Sequence, residues 1–201
     1  MLPQDLLPDA VSVVSFFIPF APWVVISNTG DKEKASPEWA KAYIETNALI
    51  GHITMQIINT LAEQGIQAAT VPATHNFDPV TLISKWGHKS VAVVAGLGSF
   101  GLNQLVITDA GCAGRFGSLV LNAELPYTNL KPRQRCLYFY DGSCQECIWS
   151  CPVGALHQEN YLDKQLCWQQ CQKNERGYLY LGKADVCGKC STGPCACESP
   201  I

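Results

Sequence analysis

The apolar positions of the first 130 residues come in short bursts, and their spacing changes from one burst to the next. Val11-Ser12-Val13 alternates as a half-buried strand does, and the apolar character continues to Ile18, predicting a strand over 11–18. Pro19 and Pro22 then break the pattern, so the stretch to Ser27 is expected to be irregular. A long helix follows: Ser36 is placed as its N-cap, with Pro37 at the first helical position and Glu38 in the first turn. Ile50, Ile53, Ile57, Ile58 and Leu61 recur at helical spacing, and Gly65 is placed to end the run. Ile66 to Val71 reads as a strand, and Asp78-Pro79 as the opening of a short helix with Leu82, Ile83 and Trp86 on one face. Leu105 to Thr108 and Phe116 to Asn122 read as two further strands, joined by the loop Asp109 to Arg115. Strands and helices do not alternate regularly, so the expected class is an α+β layer and not a doubly wound parallel sheet. No helix is expected before the first strand, so its cover must come from a compact fold or from a second copy in a homo-oligomer.

Near Lys131 the pattern changes: long apolar runs vanish and Cys, Gly and polar residues take over. The linker is placed at Pro126 to Arg135, with Pro126 and Pro132 as punctuation, dividing an α+β domain (1–130) from a Cys-rich module (131–201). The length of 201 residues suits one ordinary domain with a small annex. With 47% hydrophobic and 15% charged residues, the chain is expected to be globular rather than disordered. Residues 1–130 carry 6 basic and 10 acidic groups and residues 131–201 carry 8 and 7, which sums to the net −3. Neither part has a basic stripe, so the electrostatic footprint of a nucleic-acid partner is missing. Ala10 to Ser27 carries no charge, but the residues before it hold two acids and no Lys or Arg, the wrong flank for a signal peptide. With two prolines inside it as well, no membrane partner is expected and the expected location is the cytoplasm.

Ten of the eleven cysteines lie between Cys136 and Cys197. Cys144-x2-Cys147-x3-Cys151-Pro152 matches the closing part of the bacterial ferredoxin run, whose last Cys serves a second cluster. In a chain with no export signal, Cys-x2-Cys pairs point to metal rather than to disulfides. The first thiol of the run would fall at 141, where the chain has Asp141, a turn residue beside Gly142; Cys136 is the nearest upstream thiol. A longer loop can still close, because closure entropy rises slowly with length. Downstream lie Cys167 and Cys187-x2-Cys190-x4-Cys195. With the crossed ligand exchange of two-cluster modules, Cys136, Cys144, Cys147 and Cys195 would hold one 4Fe–4S cluster. Cys151, Cys167, Cys187 and Cys190 would hold the other. Cys171 competes for the role of Cys167, and Cys197 for that of Cys195. The rival is a structural zinc on Cys144, Cys147, Cys187 and Cys190, which leaves the other four thiols without a role and Cys151-Pro152 unexplained. Cys112, alone in its loop, reads as a small buried hydrophobe.

Gly96-Leu97-Gly98-Ser99-Phe100-Gly101 fits G-x-G-x-x-G after the apolar run Val91 to Ala95. A dinucleotide fingerprint should open a helix, yet this one runs toward a strand candidate, so a Rossmann NAD site is not expected. What remains is a turn that lets backbone approach another chain segment or a flat cofactor. In the second case Gly96, Gly98, Ser99, Gly101 and Asn103 are the candidate cofactor-binding residues. Arg115, in the loop Gly111 to Arg115, is placed to hold an anion, a cofactor amide or a surface salt bridge.

Ala95-Gly96-Leu97-Gly98 with Gly101, Gly114-Arg115-Phe116-Gly117-Ser118, and the Cys-rich end with Cys151-Pro152-Val153-Gly154-Ala155 together resemble the epoxyqueuosine reductase and reductive dehalogenase superfamily. The resemblance covers roughly residues 5–200 and is strongest over 88–200. It implies a nitroreductase-like α+β domain that binds a corrinoid (cobalamin), followed by a ferredoxin-like module whose two 4Fe–4S clusters feed it electrons. It further implies an oxidoreductase with an external electron donor and a small-molecule or modified-nucleoside substrate. The chain departs from the family in three ways. The opening elements of the domain are expected to be missing. Tyr43-Ile44-Glu45-Thr46-Asn47 lacks the proton-donor Asp of the family's Tyr-Gly-x-Asp-Tyr-His stretch, and the tRNA-binding helical repeats are absent. No catalytic acid is assigned; Glu45 and Asp109 are candidates by position. Two other classes stay open: an electron carrier with no substrate of its own, and a zinc-stapled interaction module.

Overall fold

The computed structural model describes residues 1–128, 133–159 and 161–201; Pro132 and the middle of the expected linker lie outside the described residues. Pro3–Leu6 (α1) is a single helical turn opened by its proline, and Ser12–Pro19 (β1) follows. Pro22–Ser27 (α2) is helical where an irregular stretch was expected. The proline that interrupts the apolar run sits at the first helical position, where its fixed φ is already suitable and no N–H is missed. Pro37–Ala62 (α3) is the long helix, with Ser36 Oγ accepting from Trp39 N (3.1 Å) as its cap. Gly65, at φ +76°, ends it. Ala68–Thr70 (β2), His88–Val94 (α4), Gly98–Phe100 (β3), Val106–Thr108 (β4) and Gly114–Leu121 (β5) complete the first part. Leu137–Asp141 (α5), Glu146–Trp149 (α6), Lys164–Gly177 (α7) and a 3-10 turn at Lys189–Ser191 follow.

One sheet has the order β1-β5-β2, with β2 antiparallel to β5 in the register Ala68↔Leu121 and Thr70↔Leu119. As the central strand, β5 is buried without a break from Phe116 to Leu121, so it shows no alternation in the sequence. The other sheet is the hairpin β3-β4, pairing Gly98↔Thr108 and Phe100↔Val106. Among the described residues no helix is long and apolar enough to cross a membrane.

The short helix expected at Asp78-Pro79 does not form. Asp78 Oδ1 accepts from Val80 N (3.1 Å) and Thr81 N (2.7 Å), and Leu82 sits at φ +54°, so the turn closes on itself after one cycle. Phe77 and Ser84 then make an isolated antiparallel bridge, and helix begins again only at His88.

The chain forms two compact units. The first comprises Met1–Ile18, Asn47–Leu97 and the described residues of Arg115–Lys131. Its core joins Ala10, Trp86 and Val120 to Leu6, Leu7, Ala69, Val71 and Val91. A helical turn precedes the first strand where none was expected: α1 is too short to leave a periodicity, and Leu6 and the following Leu7 pack against that core. Beside this core lies a closed polar relay. Trp86 Nε1 donates to Ser118 Oγ (3.0 Å), the Ser118 hydroxyl donates to His88 Nδ1 (2.7 Å), and His88 Nε2 donates to the Pro72 carbonyl (3.1 Å). The carbonyl can only accept, which fixes the proton on Nε2. Burial pushes the His88 pKa below its usual value, and the Arg115 charge adds to this. Ser118 is fully buried, so the pair is structural and not a nucleophile with its base. Arg115 Nε donates to Asn47 Oδ1 (2.9 Å) and Nη2 to the Ala73 carbonyl (3.3 Å), tying β5 to α3.

The second unit comprises Pro19–Thr46, Gly98–Gly114 and the described residues of Pro132–Ile201. Its core gathers Phe20, Val24, Val25, Trp39, Ala40 and Tyr43 with the small residues Ala35, Ala113, Ala184, Val186 and Ala196. All the cysteines lie in this unit.

Candidate metal centre

The cysteine loops are held by nearby caps and turns and by side chains that reach in from far along the chain. Gln134 Oε1 accepts from Cys136 N (2.8 Å), and Ser99 Oγ both donates to Gln134 Oε1 (3.1 Å) and accepts from Arg135 N (3.0 Å). Cys136 thereby starts α5 at a fixed place, and Cys147 lies on α6. Asp141 Oδ1 accepts from Ser143 N (2.9 Å), the turn role expected of it. Asp163 caps α7 by accepting from Leu166 N (2.9 Å), and α7 carries Cys167 and Cys171 one turn apart. In the Cys187–Cys190 loop, Gly188 has φ +72°, and a Cβ there would fall 2.1 Å from the Trp39 indole. That loop needs glycine on both counts. Fully buried Asn28 donates to the Cys187 carbonyl (3.1 Å), and Asn103 donates to the Cys190 carbonyl (3.0 Å).

These supports bring five of the thiols to one cavity. Cys136, Cys144, Cys147 and Cys195 line one cavity, walled by Leu102, Ile107 and Leu137. Burial pushes the Cys147 thiol up to about 12, and the neighbouring Cys195, Cys136 and Cys144 push in the same direction. Burial also raises the Cys187 thiol to about 11, with Cys167 and Cys151 adding to it. Cys190 is raised by burial first, then by Cys167, Cys187, Cys147 and Cys151. It lines the same cavity as Cys136, Cys144, Cys147 and Cys195. On α7, Cys171 is raised chiefly by its hydrogen bond with Cys167. Cys195 lines the cavity while Cys197 is exposed. Cys112, expected as a lone buried hydrophobe, is buried but not alone: its Sγ lies 3.7 Å from Cys195 Sγ.

The surroundings suit an anionic metal cluster. Lys189, between Cys187 and Cys190, is 4% exposed, and its Nζ donates to the Asn28 carbonyl (2.6 Å) and Asn28 Oδ1 (3.3 Å). Burial lowers its pKa, while Cys187 and Asp31 pull it back up. The buried ammonium thus stands beside the thiols, with Asp31 as the carboxylate that acts on it. Next to Cys136, the buried Arg135 Nε has no hydrogen-bond acceptor among the described residues. No three His, Cys, Asp or Glu side chains among them close to the spacing of a single ion. Cys151 and Lys189 also line an open groove of about 590 Å³ with Asp31, Glu33 and Trp149, and Trp149 is exposed.

The glycine-rich segment has a different role from the one weighed for it. It follows a helix, α4, and forms the strand β3, which is the reverse of a dinucleotide fingerprint. Gly96, at φ +81°, ends α4. A Cβ on Gly98 would fall 2.2 Å from the Ile107 carbonyl, and one on Gly101 would fall 2.9 Å from Asn103 Oδ1. Ser99 and Asn103 serve the cysteine loops. The chain itself fills the space beside Gly98 and Gly101. Of the positional acid candidates, Glu45 is exposed and pairs with Lys41 (3.7 Å). Asp109 pairs with Arg135 and with Arg133 (2.8 Å), and its pKa is lowered, first by the Arg135 hydrogen bond. Sequence reasoning missed Lys189, Asn28 and the Cys112–Cys195 contact. The lysine inside a Cys-x2-Cys loop was the one visible signal.

No protein-family model matches the sequence, and no curated protein matches it. Solved structures do. The structure of epoxyqueuosine reductase from Streptococcus thermophilus superposes with a TM-score of 0.57 at 16% identity, covering 99% of this chain and 53% of that one. The crystal structure of a selenomethionine-labelled epoxyqueuosine reductase gives 0.59 at 17% identity, covering 96% and 51%. The chain thus has the mixed α/β fold of the solved epoxyqueuosine reductases and spans about half of their length.

Proposed function

We propose that the chain is an iron–sulfur oxidoreductase of the epoxyqueuosine reductase kind. Cys136, Cys144, Cys147 and Cys195 would hold one 4Fe–4S cluster in its ferredoxin-like part, and Cys151, Cys167, Cys187 and Cys190 a second. The observation that carries this reading is the convergence of Cys136, Cys144, Cys147 and Cys195, distant in sequence, on one cavity. When bound, such clusters supply single-electron transfer. The chain's own residues hold the thiols in place through Gln134, Asn28 and Asn103, keep water out with Leu102 and Ile107, and balance negative charge with Lys189. An external donor would approach through the groove beside Cys151 and Trp149. The acceptor would be a small molecule or a modified nucleoside bound against a nitroreductase-like layer, in an oxygen-poor cytoplasm. Ser99 and Asn103 are engaged within the chain, with Gln134 and the Cys190 carbonyl.

That engagement, with the pairing of Glu45 and Asp109, favours a second reading: an electron carrier without a substrate of its own. Anaerobic purification with iron, sulfide and zinc analysis tests the first point. About eight irons per chain with matching sulfide are expected. One or two zincs and no iron, in protein never exposed to air, would refute it. Titration of the loaded protein with a corrinoid and with modified nucleosides then separates enzyme from carrier: binding of either supports the enzyme, binding of neither the carrier.

A further inference from the structure

The buried cysteine outside the Cys-rich run is built into a polar chain. Cys112 N donates to the Cys195 carbonyl (2.9 Å) and the Ala196 carbonyl (3.0 Å), and Ala113 N donates to the Ala196 carbonyl (2.9 Å). These bonds clamp the loop before β5 against the segment that carries Cys195. Gly111 permits the approach: it has φ +78°, and a Cβ there would fall 2.2 Å from the Ala196 carbonyl oxygen. The clamp sets Cys112 Sγ 3.7 Å from Cys195 Sγ, a hydrogen-bond contact far longer than a disulfide. On its other side Asn103 Nδ2 lies 3.7 Å from Cys112 Sγ and donates to it. Cys112 is 3% exposed, so water cannot take over either contact. A small hydrophobe would account for the burial but not for two polar partners aligned through one sulfur.

Resting on the two-cluster reading above, we propose that Cys112 is a positioning residue whose S–H donates a hydrogen bond to the Cys195 thiolate and raises the reduction potential of the cluster that Cys195 helps to hold. A metal-bound Cys195 sulfur has no proton, so the proton between the two sulfurs belongs to Cys112. Asn103 N–H to Cys112 sulfur and Cys112 S–H to Cys195 sulfur run in one direction and polarise each other. A donor aimed at a ligand sulfur stabilises the more negative, reduced state, and hydrogen bonds to sulfur are an established lever on cluster potential.

The test is a mediator-poised redox titration of the anaerobically purified full chain, read by EPR, with iron counted for each variant. Cys112→Ala is expected to keep about eight irons per chain and to move one cluster's midpoint to a more negative potential, leaving the other in place. Cys112→Ser, which restores a donor, is expected to recover most of the shift. Cys112→Val refills the volume without a donor; it should reproduce the shift and serves if the alanine variant loads poorly. Cys197→Ala, at an exposed thiol, is expected to move neither midpoint. Unchanged midpoints in Cys112→Ala and Cys112→Val at full iron content overturn the proposal while leaving the clusters intact. Loss of about four irons in Cys112→Ala and Cys112→Val, with retention in Cys195→Ala, makes Cys112 a ligand and also overturns it. A wild-type chain without iron sinks both the proposal and the reading on which it rests.

Discussion

Burying the ammonium of Lys189 against two oxygens of one asparagine costs several kcal/mol unless negative charge lies close by. Four thiolates around an iron cube would provide it. Lys189→Met keeps the aliphatic stem and removes the charge, so it should act oppositely in the two forms. Metal-free protein is expected to be as stable or more stable in urea, whereas the loaded protein should show a more negative midpoint for one cluster. A midpoint unmoved by the substitution would mean that the charge does not act on a cluster. Tyr43 donates to Asp185 Oδ1 (2.8 Å) with both residues buried, so Tyr43→Phe should cost about 1–3 kcal/mol in urea unfolding. His88 supplies a pH dependence. Its folded pKa is lowered from 6.5, so below that value the unfolded chain takes up a proton that the folded chain resists. The stabilisation is therefore full above about pH 7 and declines as pH falls through the folded pKa. Melting of the wild type should drop between about pH 7.5 and 5, and His88→Gln should flatten the dependence.

At the scale of elements, the second unit is organised by caps and turns more than by long helices. Asp163→Ala removes the cap of α7 and should cost about 1 kcal/mol, read as an earlier thermal midpoint. Gly188→Ala is more severe, because it forces a strained φ and drives a methyl group into the Trp39 ring. In the proposed assignment it displaces Cys187 and Cys190 together, so iron should fall from about eight to about four per chain. Retention of all the iron would show that the loop tolerates the shift. Some elements were legible and others were not, for local reasons. Ser36, Pro37 and Gly65 act within a few residues of themselves, and the helix they bound stands where the sequence puts it. Asp78-Pro79 carries the same kind of start signal, but the left-handed Leu82 that cuts the helix short leaves no mark in composition. α7 hides its inner face from any hydrophobic pattern: the buried residues there are Gln170 and Asn174, satisfied by the Glu33 carbonyl (2.6 Å) and the Val186 carbonyl (2.9 Å). Two glycines of the motif, Gly98 and Gly101, meet the chain itself around the β3-β4 hairpin, a contact the motif pattern alone does not show.

For the molecule as a whole, the clustering of cysteines in the last third of the chain is plain in the sequence, while the scaffold around them is not. Cys144, Cys147 and Cys151 are near neighbours in sequence, but Asn28, Trp39 and Asn103 reach the cysteine loops from far upstream, a relation no local pattern encodes. After residue 133 the buried apolar residues are few and small: Ala155, Leu156, Ala184, Val186 and Ala196. In the proposed assignment such a segment would gain much of its stability from bound metal, since metal affinity is also folding free energy. Loaded protein is therefore expected to unfold at higher urea than protein stripped anaerobically with a chelator, with proteolysis of the stripped form concentrated after residue 133. Equal midpoints would mean that the second unit holds itself without metal.

The clamp between residues 112–113 and 195–196 also imposes an order in time. Cys112 and Cys195 are separated by 83 positions, which at translation rates of about 5–20 residues per second is about 4–17 seconds of synthesis. Throughout that interval the nascent chain carries the loop of Cys112 with no mate, and one thiol after another emerges from the ribosome before its group is complete. If the thiols are to reach the proposed clusters, they must stay reduced and unpaired meanwhile, so the yield of loaded protein should depend on thiol-protecting factors and on the pace of translation as much as on the supply of iron.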